Sequence, residues 1–215
     1  MAEPTPPLKV AIWSDFICPF CLIAEERADW LRREAGAEIE WLPFDLHPEY
    51  PEEGIPRADL LKRYGERFTQ VVKDMAADAG LTYNPHPEVV PRSRAALELA
   101  EWARSLGGEV HDRLHQRLMQ AYWAEAQDIS DWEVLERCLA DVGLDPAAGR
   151  EAVASGAHAE AVDASTTWAQ RHGINAVPAF VLDGRVLVSG AQPHEAFQQA
   201  IETVARLRAE AAAAG

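Results

Sequence analysis

The sequence predicts an α/β protein: one mixed sheet assembled from two separated halves, with a large all-α insertion between them. Three observations carry this expectation. Short apolar runs of strand character lie near the two ends of the 215-residue chain. Between them, residues 51–157 form amphipathic segments at helical spacing, with no convincing strand. The flanking segments read strand–helix–strand before the insertion and helix–strand–strand–helix after it.

Residues 1–7 are proline-rich and polar, and a disordered tail is expected there. Leu8 to Trp13 (Leu-Lys-Val-Ala-Ile-Trp) has the apolar character of a short buried strand. From Pro19 the pattern turns helical: Leu22, Ile23, Ala24, Arg27, Trp30 and Leu31 recur at turn spacing, and Gly36 offers a stop. Glu38 to Phe44 starts with the alternation of a second strand and completes a first half, residues 8–50. In the insertion, Leu60, Leu61, Tyr64, Phe68, Val71, Val72 and Met75 make one helical stripe; Ala96, Leu97, Leu99, Ala100 and Ala103 make another. Further helices are expected over 110–126, 130–142 and 146–154. The second half, residues 158–208, opens with a helix reaching about His172, capped by Gly173. Ala179–Leu182 and Arg185–Val188 then flank Asp183-Gly184, a two-residue hairpin signal. Pro193 suits the first turn of a last helix to about Ala209, which leaves 209–215 as a frayed tail.

The 35 acidic residues outnumber the 20 basic ones, for a formal charge of −15. Phosphate backbones and anionic lipid surfaces repel such a chain, so nucleic acid and membrane partners are not expected. With no apolar stretch long enough to span a bilayer and no basic, apolar leader at Met1, a soluble cytoplasmic protein is the expectation. Three cysteines are too few and too unevenly placed for a secreted disulfide framework.

Two of them form Cys18-Pro19-Phe20-Cys21, directly between a strand and a helix. A dithiol that cycles with its disulfide needs both sulfurs within bonding reach and the first available as thiolate. At a helix start the unpaired amides and the macrodipole favour that anion, and the second cysteine lies one turn further in. Pro19 has no amide hydrogen to lose there. Cys18 then reads as the attacking sulfur and Cys21 as the resolving one. Two blander readings stand beside this: half of a zinc site, which lacks a second Cys or His pair at finger-like spacing, or inert core thiols. No metal is expected.

Three segments carry a family resemblance: Trp13-Ser14-Asp15-Phe16-Ile17-Cys18-Pro19-Phe20-Cys21, Trp41-Leu42-Pro43-Phe44-Asp45-Leu46-His47-Pro48 and Gly173-Ile174-Asn175-Ala176-Val177-Pro178-Ala179-Phe180. Over nearly all of residues 8–208 the chain resembles the DsbA-like thioredoxin superfamily, and most closely its FrnE-like branch of soluble dithiol–disulfide isomerases. The resemblance implies a thioredoxin-like fold and a cis peptide bond at Pro178, set against the cysteines. It also implies a backbone at Val177 aimed at a substrate chain. Pro19, Phe20, Val177 and Pro178 are thus the expected substrate-binding residues, beside catalytic Cys18 and Cys21. The expected reaction partners are protein or small-thiol disulfides. No cofactor is implied, although glutathione can serve as a co-substrate or thiol reductant.

Related 2-hydroxychromene-2-carboxylate isomerases and kappa-class glutathione transferases generally carry serine at the first thiol, whereas Cys18 and Cys21 are both intact here. Glutathione-dependent isomerisation or conjugation of a small aromatic substrate is the alternative activity, and a chaperone-like binding module is a third. Asp15 either modulates the thiols or caps the coming turn. Cys138 shares a stripe with Leu135, Leu139 and Val142 and reads as a core thiol. His47 reads as a loop histidine near the rim of the site. Trp102, Trp123, Trp132 and Trp168 read as packing residues. His111 and His115 face a polar surface as readily as a site.

Overall fold

A computed structural model describes residues 6–214. Its four-stranded sheet has the order β2-β1-β5-β6, with β1 (Lys9–Ser14), β2 (Glu38–Pro43), β5 (Ala179–Leu182) and β6 (Val186–Ser189). β1 runs parallel to β2 and antiparallel to β5, and β5 pairs antiparallel with β6. The two halves expected from the sequence thus meet between β1 and β5, in the mixed sheet of a thioredoxin-like fold. Asp183 and Gly184 both take positive φ, 53° and 65°, as a tight hairpin turn requires.

Strand alternation splits the core. Val10 and Ile12 of β1 face α1 (Pro19–Ala35) and α8 (His194–Ala214), among Leu31, Phe180, Leu182 and Phe197. Trp13 and the segment after it join the opposite cluster, which is continuous with the helical insertion. That insertion comprises α2 (Arg57–Asp78), α3 (Arg94–Leu106), α4 (Gly108–Trp123), α5 (Trp132–Asp141) and α6 (Pro146–Ala154). Through α7 (Ala159–Arg171), which packs on both β2 and α3, it is bound to the sheet. Cys138 is buried in α5 as a core thiol. Gly36, at φ 58°, ends α1 where a stop was expected, and the Ala37 amide closes back on the Leu31 carbonyl at 3.2 Å.

Several expectations need correction. The insertion does contain strand: β3 (Ile55–Pro56) and β4 (Val89–Val90) pair as an antiparallel ribbon, each too short to leave a periodic signal. α2 breaks at Gly65 (φ 77°, ψ 167°), and its apolar stripe does not simply enter the core. Leu60, Tyr64 and Phe68 line a cleft instead. The last helix starts after Pro193 and continues to Ala214, so 209–214 are helical; the run of alanines has the highest intrinsic helix propensity. Of the tail expected at 1–7, residues 1–5 lie outside the described residues, while the Pro6 and Pro7 carbonyls accept hydrogen bonds from Arg208. Trp168 is 46% exposed. It stacks on Trp13 at 5.1 Å because α7 leaves part of that sheet face open. No helix among the described residues is long and apolar enough to cross a membrane.

Candidate active site

β1 delivers Ser14 and Asp15 to the point where the chain turns into α1. The Cys18 amide donates to the Asp15 carbonyl at 3.1 Å, closing the turn. Cys18 itself is the N-cap residue in extended conformation, Pro19 opens the first turn, and no acidic side chain sits in that turn. The Cys18 carbonyl accepts from the amides of Cys21 and Leu22 at 3.0 and 3.4 Å. One helical turn therefore separates the two side chains, and the cysteines approach to 3.6 Å, both as free thiols.

The two sulfurs differ in surroundings. Cys18 retains 4% of its surface and lines a cleft of about 230 Å³, whereas Cys21 is fully buried behind it. Burial pushes the Cys21 thiol well above its ordinary pKa, and the adjacent Cys18 thiol adds to the effect; the Ser14 hydroxyl and the Asp15 backbone oppose it. From the other half of the fold, the Cys18 thiol donates to the Val177 carbonyl at 3.3 Å. The Val177–Pro178 peptide bond is cis. Pro178 is buried and holds the Gly190 amide through its carbonyl at 2.8 Å, so Val177 and not Pro178 faces the cleft.

Asp15 is buried, and both of its oxygens are committed to backbone. Oδ1 accepts from Ile17 at 3.2 Å and Oδ2 accepts from Leu46 at 2.8 Å, which ties the pre-cysteine turn to the segment after β2. Asp15 thus holds the turn that leads into α1, whose own N-cap, Cys18, has no side-chain cap hydrogen bond. Burial nevertheless lifts the Asp15 pKa from 3.8 to about 6, against these hydrogen bonds and one from Ser93. Trp123 fixes the same turn from α4, donating Nε1–H to the Phe16 carbonyl at 2.8 Å.

The cleft is walled by aromatic rings from the first half and from the helical insertion. Phe20 of the motif meets Phe68 edge-to-face at 5.7 Å, Tyr64 stacks on Phe68 at 5.0 Å, and Tyr83 stacks on Trp123 at 5.3 Å. One cation, Arg57, lines the same cleft, held by the His86 carbonyl at 2.5 Å and the Tyr122 hydroxyl at 2.9 Å. His47 does reach the rim, stacked on Tyr50 at 4.3 Å.

Cys18, Pro19, Phe20 and Val177 line this cleft, and the buried Cys21 and Pro178 do not. Tyr64, Phe68 and Tyr122 were not legible, since aromatic residues on an amphipathic helix read as core, and neither Arg57 nor Tyr83, which lies in the loop after α2, belongs to a motif. His111 and His115 are corrected: both are buried, because α4 turns their shared face inward with Leu114 and Leu118. His115 Nε2–H donates to the Glu25 carboxylate at 2.8 Å.

Residues 9–202 match the DSBA-like thioredoxin domain. The crystal structure of a probable DsbA oxidoreductase from Streptomyces coelicolor superposes with a TM-score of 0.82 at 27% identity, covering 91% of this chain and 89% of that one. A 2-hydroxychromene-2-carboxylate isomerase of Sphingobium xenophagum is 28% identical over 184 residues, or 82% of this chain and 90% of the isomerase. The cytosolic disulfide reductase DsbM from Pseudomonas aeruginosa, solved with glutathione, shares the fold at a TM-score of 0.69 and 17% identity, with 92% of this chain and 99% of that one covered. The chain belongs to the DSBA-like thioredoxin domain family of thiol–disulfide oxidoreductases.

Proposed function

We propose that this protein is a dithiol–disulfide exchange enzyme, acting as an isomerase or reductase on protein or small-thiol disulfides. Cys18 is the nucleophile and Cys21 the resolving thiol. The observation that carries the proposal is the pairing of a cleft-facing cysteine at a helix N-terminus with a fully buried one, the two residues approaching to 3.6 Å. Cys18 thiolate attacks one sulfur of a substrate disulfide, joins it as a mixed disulfide and releases the other substrate sulfur as thiolate. Cys21 gives up its proton and attacks Cys18; the internal disulfide forms and the second substrate thiolate leaves reduced. Two molecules of a thiol such as glutathione then return the enzyme to its dithiol form, the first opening the internal disulfide as a mixed disulfide and the second leaving with it as glutathione disulfide. In the isomerase mode the substrate's own second thiol attacks the mixed disulfide instead, and no net redox change occurs.

Val177 and the apolar cleft serve substrate binding: an extended chain pairs with the backbone beside Cys18, and the residue flanking the substrate cysteine enters among Phe20, Tyr64 and Phe68. Pro19 and Phe20 form the motif side of this contact, with Pro178 supporting Val177. Asp15 is a positioning group that holds the turn before Cys18. No metal or resident cofactor enters the scheme, and the cytoplasm, where thiols are kept reduced, suits the reductase and isomerase directions.

Insulin reduction and refolding of a scrambled disulfide protein test this. Cys18→Ser abolishes both activities, and Cys21→Ser accumulates a mixed disulfide at Cys18 with oxidised glutathione, visible by mass. Unchanged turnover in Cys18→Ser would falsify the assignment. The similarity to an isomerase and the aromatic cleft favour a second reading, glutathione-dependent isomerisation of a small aromatic compound. Turnover of such a compound that requires glutathione and survives loss of Cys21 selects it.

A further inference from the structure

Cys21 must lose a proton in order to resolve the mixed disulfide, yet it is fully buried and both oxygens of neighbouring Asp15 are occupied by backbone amides. Beside Cys21 stands Ser14, 3% exposed; its hydroxyl is near enough to favour the Cys21 thiolate, yet its Oγ makes no hydrogen bond of ordinary geometry. An unpartnered hydroxyl at that depth calls for an explanation. Ser14 lines a small internal cavity of about 10 Å³ together with Phe16, Trp41, Glu101, His111 and His115. That volume is about one water molecule, and the lining supplies the polar partners a buried water needs.

The two histidines are not equivalent. His111 has both nitrogens engaged, Nε2 with the Arg104 guanidinium at 3.0 Å and Nδ1 with Asp112 at 3.3 Å, so it is the neutral tautomer accepting at Nε2. His115 uses only Nε2, at 2.8 Å from the Glu25 carboxylate, and its Nδ1 makes no hydrogen bond among the described residues. With Nε2–H donating to Glu25, Nδ1 carries the free lone pair. Trp41 stacks on the ring at 4.4 Å and holds its plane.

We propose that the His115–Glu25 pair is the proton acceptor for Cys21, reached through Ser14 and one water in this cavity. This rests on the exchange reaction of the preceding section. As Cys21 sulfur attacks Cys18, its proton passes to Ser14 Oγ, the Ser14 proton to the water, and a water proton to His115 Nδ1. The S–S bond to substrate breaks, the substrate thiolate carries away the electron pair, and His115 becomes an imidazolium paired with Glu25. Glu25 is partly exposed and returns the proton to solvent. The groups facing this ring are Glu25 from α1, His111 and Asp112 from α4, and Glu101 and Arg104 from α3.

Reduced protein mixed with excess DTNB in a stopped-flow instrument reports both chemical steps in one trace. The first thionitrobenzoate appears when Cys18 attacks, and the second when Cys21 resolves. Ser14→Ala, His115→Gln and Glu25→Gln each slow the second phase by about tenfold or more and leave the first within about twofold. Ser14→Thr, which keeps the hydroxyl, retains the second phase that Ser14→Ala slows, a distinction a merely structural role would not make. A second phase unchanged in all three variants, or one slowed equally in Ser14→Thr and Ser14→Ala, overturns the relay alone. If the parent shows no second phase at all, the exchange mechanism itself fails.

Discussion

Replacing Asp15 with asparagine keeps the shape of the side chain and removes its charge, which isolates the energetic consequence of burying a carboxyl beside the redox centre. The folded-state pKa of Asp15 is raised from 3.8 to about 6 by burial. The folded protein therefore binds that proton more tightly than the unfolded chain does. Stability owed to the protonated form is fully present below about pH 4 and is lost as pH rises through about 6. A displacement of this size corresponds to about 3 kcal/mol in total, of which ~2 kcal/mol is lost between about pH 4 and 7. Asparagine does not titrate. Its amide does turn an N–H₂ toward one of the backbone donors of Ile17 or Leu46, a fixed cost of about 1–3 kcal/mol that does not vary with pH.

The informative quantity is accordingly the difference between parent and D15N as a function of pH. Carboxylates with lowered pKa values, such as Asp112, Asp163 and Asp183, give stability that rises with pH in both proteins, and they cancel in that difference. Urea unfolding followed by tryptophan fluorescence at several pH values supplies it. The parent's advantage over D15N shrinks by ~2 kcal/mol from about pH 4 to 7 and flattens above. A gap that stays constant within ~0.5 kcal/mol over that range refutes the claim that burial lifts the Asp15 pKa to about 6.

Three further outcomes follow from single contacts. Trp123→Phe leaves the Phe16 carbonyl without the Nε1–H donor at 2.8 Å and destabilises the protein by about 1–3 kcal/mol in urea melts. Gly54→Ala places a methyl carbon 2.4 Å from the Val90 carbonyl oxygen at a φ of +76°, so a loss of at least ~2 kcal/mol is expected; a melt matching the parent would show that the β3–β4 ribbon moves freely. Cys138, buried and with its pKa pushed up to about 11, resists iodoacetamide at about pH 8 in the folded protein and reacts only after denaturation, as peptide mass mapping will report.

The sheet and the dithiol were legible because each leaves a short-range trace. Apolar runs, an Asp-Gly turn and a Cys-x-x-Cys bounded by strand and proline are all written within a few residues. The cleft was not legible, and its physics explains why. Tyr64 and Phe68 satisfy the same helical spacing whether they pack into a core or wall a cleft, and only the break at Gly65 and the docking of α2 over Cys18 decide between the two. The β3–β4 ribbon is two residues per strand, below the length at which alternation exists. His111 and His115 failed as a sequence prediction for a related reason. Their burial depends on partners from α1 and α3, Glu25 and Arg104, distant along the chain.

The difference in depth between the two sulfurs bears on the choice between reduction and isomerisation. Cys18 faces the cleft from the end of a helix, where on the proposed mechanism an incoming disulfide would meet it. Resolution by Cys21 starts from a thiol whose burial holds its proton firmly. The lifetime of the mixed disulfide is then set by how quickly that proton departs. A long lifetime lets a second substrate thiol attack first and yields isomerisation; a short one commits the enzyme to reduction. Whatever governs deprotonation of Cys21 thus governs the product, and slowing the second thionitrobenzoate phase by tenfold should raise the ratio of scrambled-protein refolding to insulin reduction by a comparable factor. A variant with slowed resolution and an unaltered ratio would show that the partition is set elsewhere, by substrate binding at Val177 and the aromatic cleft.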